Sequence, residues 1–245
     1  MTLALRTLLT ASAAATTLLA TGGAHALEIN TLNLLTQSEF RALSEDLGAA
    51  LSYKALVPAE SLGVIGFDIG IGVTATELQH RDVLSKAAAG ADVPKALPVA
   101  SVRVVKGLPF NIDIGAALGR VPTTGATTAG GELRWAFVPG GVLTPAIAVR
   151  ASYAQLSGID QLKASSAGLD VSISKGFLFV TPYAGIGSVS TRTQVTGTTA
   201  LKAERLNQTR LFGGVNINLG LVNLAAEVDK TGDATSYGLK AGFRF

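Results

Sequence analysis

The stretch Tyr237-Gly238-Leu239-Lys240-Ala241-Gly242-Phe243-Arg244-Phe245 decides the fold. Side chains of an extended strand alternate between two faces. Tyr237, Leu239, Ala241, Phe243 and Phe245 therefore share one face, and Gly238, Lys240, Gly242 and Arg244 share the other. One face is wholly apolar or aromatic; the other carries glycine and cations. A soluble amphipathic strand has the same alternation, so the rest of the chain must discriminate.

The tail resembles the closing strand of bacterial outer-membrane β-barrels, whose insertion machinery reads a C-terminal Tyr-x-apolar-x-apolar-x-Phe-x-Phe pattern. The resemblance implies an assembly signal at Tyr237, Leu239, Ala241, Phe243 and Phe245. It also implies an apolar face toward lipid and a polar face toward the lumen. The partners it implies are outer-membrane lipid, lipopolysaccharide and the barrel-assembly machinery.

The start of the chain agrees with that compartment. Arg6 precedes an apolar stretch from Thr7 to Ala20, and Ala24-His25-Ala26 offers a small-x-small cleavage site. This is the anatomy of a secretory signal peptide over residues 1–26, too short for a spanning helix. Removing Arg6 leaves 19 of the 20 basic residues against 17 acidic ones, so the net charge falls from +3 to +2. Such a balance gives no basis for nucleic-acid binding. With no cysteine the chain has no lipidation site, disulfide or thiolate metal site. Mean hydropathy is +0.40, yet no long uncharged apolar run follows the signal. Alternating membrane strands produce that combination.

Period-two segments recur throughout. They cover Gly63–Ala75, Ala100–Lys106, Phe110–Gly119, Glu132–Phe137, Leu143–Tyr153, Ala167–Ser174, Leu178–Ile186, Arg210–Leu219, Val222–Asp229 and the tail. That makes ten strands between Leu62 and Phe245. Short turns are expected at Lys106–Pro109, Val138–Gly141, Lys175–Gly176 and Leu219–Leu221. Longer links are expected at Glu77–Pro94, Val121–Thr127, Gln155–Ser165, Thr191–Arg205 and Lys230–Thr235. Every short turn then lies on the side of the C-terminus, which is the periplasmic side in the resembled family.

Residues 27–61 fit less well. Thr36-x-x-Glu39 can form a capping box, and Phe40, Leu43, Leu47 and Leu51 recur at helical spacing. A helix near Ser38–Leu47 would sit in the periplasm or plug the lumen ahead of a ten-strand barrel. Alternatively Leu27–Leu35 and Gly48–Val57 are two further strands, giving twelve. The fold class is all-β in either case, a transmembrane antiparallel up-and-down barrel over residues 62–245 with a short N-terminal helix.

The polar faces lack the dense Lys and Glu of soluble surfaces, and charge on the lipid side costs roughly 2–4 kcal/mol at the bilayer midplane. The polar faces are therefore assigned to the lumen. They carry six acids, Asp68, Asp113, Glu132, Asp170, Glu227 and Asp229. Six bases accompany them, Arg103, Arg134, Arg150, Arg210, Lys240 and Arg244. With Gly107-Leu108-Pro109 as the turn, Arg103 is predicted to face Asp113 across the hairpin. Two lumens are compatible with this set: a tight one crossed by ion pairs, or a narrow pore with opposed acidic and basic walls.

Catalysis has little support. His80 is the only histidine after the signal, and Asp82 and Ser85 near it are weak candidates for a triad. Arg81, Lys86, Lys95, Arg192, Lys202 and Arg205 fall in expected outer loops, where they could meet lipopolysaccharide phosphates. No catalytic, metal or cofactor residues are assigned. The expected function is a passive pore or small-solute transporter, with a non-conducting structural or partner-binding barrel as the alternative. A lipid-modifying enzyme is the remotest possibility.

Overall fold

The computed structural model describes residues 27–197 and 200–245; the expected signal peptide lies outside the described residues. Ten antiparallel strands run β1 (Phe67–Glu77), β2 (Ala96–Leu108), β3 (Ile112–Arg120), β4 (Thr127–Pro139) and β5 (Ala146–Ser157), then β6 (Leu162–Ser174), β7 (Val180–Val195), β8 (Glu204–Leu219), β9 (Val222–Thr231) and β10 (Ala234–Arg244). Each pairs with its sequence neighbours, and β1 closes on β10, so the sheet is a barrel without a free edge. Asp68 lies opposite Arg244 and Ala75 opposite Tyr237 in that closing pair.

Two helices precede and interrupt the strands. Helix α1 (Gln37–Leu51) starts at the expected capping box: the Thr36 side chain accepts from Glu39 N–H, and the Glu39 side chain accepts from Thr36 N–H. Helix α2 (Arg81–Ala87) sits in the β1–β2 link. Leu27–Leu35 and Gly48–Val57 form no strands, which removes the twelve-strand alternative. No helix among the described residues is long and apolar enough to cross a membrane.

The alternation falls as expected. Ile69, Ile71, Leu133, Trp135, Leu169, Leu239 and Phe243 point outward and are about half exposed, whereas Asp68, Asp113, Arg134, Asp170 and Arg210 are buried inside. The barrel is thus inverted relative to a soluble one.

The links differ from expectation in detail. Gly63–Gly66 is a turn, with Gly66 N–H donating to Gly63 O at 3.0 Å, so β1 begins at Phe67. The Lys230–Thr235 link reduces to Gly232-Asp233, because β9 and β10 pair up to Thr231↔Ala234. Strands β7 and β8 are 16 residues each and absorb much of the expected Thr191–Arg205 loop. The β2–β3 turn is Pro109–Asn111, where Phe110 and Asn111 adopt φ of 65° and 58°. Even so, the links after β2, β4, β6 and β8 all lie at the end that holds the C-terminus.

A conventional hydrophobic core closes the opposite end. Leu32, Phe40, Leu43 and Leu47 pack with Leu78, Val83 and Leu84 from the β1–β2 link and with Leu97, Val99, Leu162 and Val195 from strand ends. Helix α1 approaches the wall closely here. A Cβ on Gly48 would stand 2.5 Å from Thr191 Oγ1, so only glycine fits. At the N-terminal side, Leu27 N–H donates to Thr123 O at 2.7 Å in the β3–β4 link. The chain therefore begins its described course at the end opposite the C-terminus.

Candidate functional site: the filled lumen

Between α1 and β1 the chain crosses the whole interior. Residues 52–59 are all buried, although they belong to no regular element. Their backbone groups need partners that a sheet would otherwise supply, and the barrel wall supplies them through side chains. Arg103 donates to the Lys54 carbonyl, Arg134 to the Pro58 carbonyl, and Arg210 Nη1 to the Tyr53 carbonyl at 2.8 Å. Ser166 Oγ donates to Leu51 O at 3.1 Å, and Ser174 Oγ accepts from Ala59 N–H at 3.1 Å. At the exit, Ser61 Oγ and Leu62 N–H donate to Asp113 Oδ1 at 3.1 and 3.0 Å.

Side chains of the segment are equally engaged. Lys54 Nζ, 5% exposed, contacts Asp229 Oδ1 at 2.7 Å. Tyr53 lies under the Arg103 guanidinium, 5.3 Å from its ring centroid. Leu56 is fully buried with φ of 54°, an uncommon backbone state for a branched residue. It points at Gly238, where a Cβ would lie 2.6 Å from Leu56 Cδ2. The cavity left beside Tyr53, Lys54 and Arg103 measures about 60 Å³, room for about two waters.

The strand charges gather into three groups of ion pairs. Asp113, Arg134, Arg150, Asp170, Gly187, Arg210 and Thr231 occupy one pairing row across β3 to β9. Arg134 holds Asp113 at 2.6 Å and Arg150 holds Asp170 at 2.8 Å, which separates two arginines that sit directly opposite. Arg210 bonds Asp229 and reaches Glu227 at 3.3 Å and Asp170 at 3.5 Å. Lys240 and Arg244 share Asp68, each at 2.7 Å. Glu132 is the loosest member: Arg150 is 3.6 Å away, and neither carboxylate oxygen has a hydrogen-bond partner among the described residues.

All twelve sequence-assigned lumen residues face inward, but one assigned contact is wrong. Arg103 pairs in register with Ala117, and Asp113 with Gly107 and Arg134. The cause is the Pro109–Asn111 turn, which lies beyond the assumed Gly107-Leu108-Pro109 and shifts the hairpin. The sequence also gave no notice of Lys54, a seventh cation beside the six on the strands. Tyr183, whose hydroxyl donates to Glu227 at 2.9 Å, and Phe212, stacked between Arg150 and Arg210 at 5.3 and 4.6 Å, were visible only as aromatics on polar faces.

His80, Asp82 and Ser85 do not assemble. His80 N–H donates to Asp46 Oδ2 at 2.8 Å and its Nδ1 lies 3.4 Å from Asp46 Oδ1, while Ser85 Oγ donates to Ala91 O at 2.7 Å. Of the tail residues, Phe245 exchanges backbone hydrogen bonds with Phe67 at 2.8 and 3.0 Å, and the two rings stand 5.9 Å apart.

No protein-family model and no curated protein matches this chain. Solved structures do. The N-terminal β-barrel domain of Pseudomonas aeruginosa OprF is 11% identical, with a TM-score of 0.39 over 73% of this chain and 97% of that one. OprG from the same organism is 12% identical, with a TM-score of 0.37 over 78% and 99%. The translocator domain of the autotransporter NalP from Neisseria meningitidis is 11% identical, with a TM-score of 0.32 over 85% and 95%. These neighbours are bacterial outer-membrane β-barrels. The likeness concerns the fold.

Proposed function

We propose that this chain is an outer-membrane barrel held closed by its own N-terminal segment, a non-conducting structural or partner-binding protein in its resting state. The membrane placement rests on the inverted wall: a continuous apolar exterior needs a non-aqueous contact, and buried charge inside suits lipid outside. In the orientation usual for such barrels, the short turns face the periplasm and the capped end faces the cell exterior. The observation that carries the closed reading is the set of Arg103, Arg134 and Arg210 hydrogen bonds to carbonyls of the crossing segment. An open pore would spend those guanidinium groups on water. A non-enzymatic role belongs to the same reading, supported by the engagement of His80 with Asp46.

Thiol labelling tests this directly, because the chain has no native cysteine. A membrane-impermeant maleimide should label Glu28→Cys on intact cells and Val64→Cys only after the periplasm is opened. Val57→Cys should resist both treatments until the protein is unfolded. Labelling of Val57→Cys as fast as Val64→Cys would mean an open lumen and overturn the proposal.

A further inference from the structure

We infer that the outer wall of β5–β7 carries a binding groove for the phosphorylated headgroup of an outer-leaflet lipid. The groove is an open depression of about 500 Å³ that runs from Tyr153 past Gln155 and Ser165 to Lys163, Arg192 and Gln194. Its lower end meets the apolar belt, since Tyr153 pairs with Ala167, and Ala151 with Leu169, on the outward face. Its upper end is cationic. Arg192 lies directly opposite Arg205 of β8, and Lys163 opposite Gln194, one diagonal step from Arg192. All three cations are exposed and outward.

Like charges placed opposite each other on one face of a sheet repel, so this trio calls for an anion. No carboxylate among the described residues pairs with it. Among the described residues, neither Lys163, Arg192 nor Arg205 forms a salt bridge. The adjacent carboxylate, Glu204, turns inward to Gln37 and Arg41. A phosphate monoester fits the need, because guanidinium groups bind it through paired N–H donors. A lipid supplies the phosphate at the right place: the acyl chains would lie on Ala167, Leu169 and Val171 while the headgroup fills the polar groove above.

This inference rests on the membrane reading, and the experiment separates the two. Heat-modifiable migration of the detergent-solubilised barrel checks the membrane reading first; a stable monomer without detergent would sink that reading itself. Native mass spectrometry then compares retention of bis-phosphorylated lipid A, its dephosphorylated form and phosphatidylcholine. The folded wild type should retain the bis-phosphorylated form at least tenfold more than the other two. Lys163→Gln, Arg192→Gln and Arg205→Gln together should abolish that preference, and Arg192→Gln alone should reduce it severalfold should the triple variant not fold. Arg120→Gln with Lys230→Gln, outward cations away from the groove, should leave it intact. Inorganic phosphate at millimolar concentration should not displace the lipid. Equal retention of the three lipids, an unchanged triple variant, an equal loss in the Arg120/Lys230 control, or displacement by phosphate alone would each overturn the inference.

Discussion

Arg210 touches three carboxylates, one carbonyl and one aromatic ring at once, and it is 1% exposed. Removing it leaves Asp229 and Glu227 short of a cation in a confined interior. Arg210→Met is expected to destabilise by about 3–5 kcal/mol, read as urea unfolding in detergent. Unfolding at the wild-type midpoint would show that these contacts are hydrated. A double-mutant cycle separates the real pairs from the one the sequence suggested. Asp113→Asn with Arg134→Gln should show coupling of about 0.5–3 kcal/mol. Asp113→Asn with Arg103→Gln should be additive, because Arg103 lies four positions along β2, roughly 13 Å of strand, from the residue opposite Asp113. The reverse result would restore the Arg103–Asp113 contact. Inward direction was legible for every one of these residues, since it depends only on period two. Partner identity was not, because it depends on where a turn places its positive φ, and Phe110 and Asn111 carry it instead of Gly107.

Helix α1 is the element whose existence and start the sequence stated most directly. The Thr36–Glu39 box and the Phe40, Leu43, Leu47 spacing are local signals, and both are realised. Glu39 gains a further partner, Lys86 of α2 at 2.9 Å, and that hydrogen bond, with the Thr36 N–H, holds its carboxyl down to about 2. Its contribution is therefore present above the ordinary carboxylate range and is lost only as the pH falls through that value. Since this ion pair is exposed, the apolar cap is what anchors the helix. Phe40→Ala should cost about 3–5 kcal/mol and make α1 the first site of protease cleavage on the outer face. Cleavage rates equal to wild type would mean that the cap is not packed as described.

At the scale of the whole molecule, the barrel was legible and its contents were not. Inversion and the side of the short turns follow from alternation and turn residues, which are local, whereas the strand count stayed open between ten and twelve. The crossing segment reads like another strand because Tyr53, Ala55 and Val57 alternate with Lys54, Leu56 and Pro58. Its hydrogen-bond donors are arginines on distant strands, so nothing nearby in the sequence distinguishes the two. One signal was available: Leu97, Val99, Leu162 and Val195 occupy the inward phase at one end of the wall, where a water-filled mouth would hold polar groups. Apolar residues in that phase imply something apolar to cover, and α1 covers them. The central claim is that residues 27–61 close the barrel. Single-channel recording in planar bilayers tests it most directly, comparing residues 27–245 with a variant that lacks 27–61. The 27–245 chain is expected to insert without stepwise current, and the shortened variant to give discrete openings; a steady open current from the 27–245 chain would contradict the account.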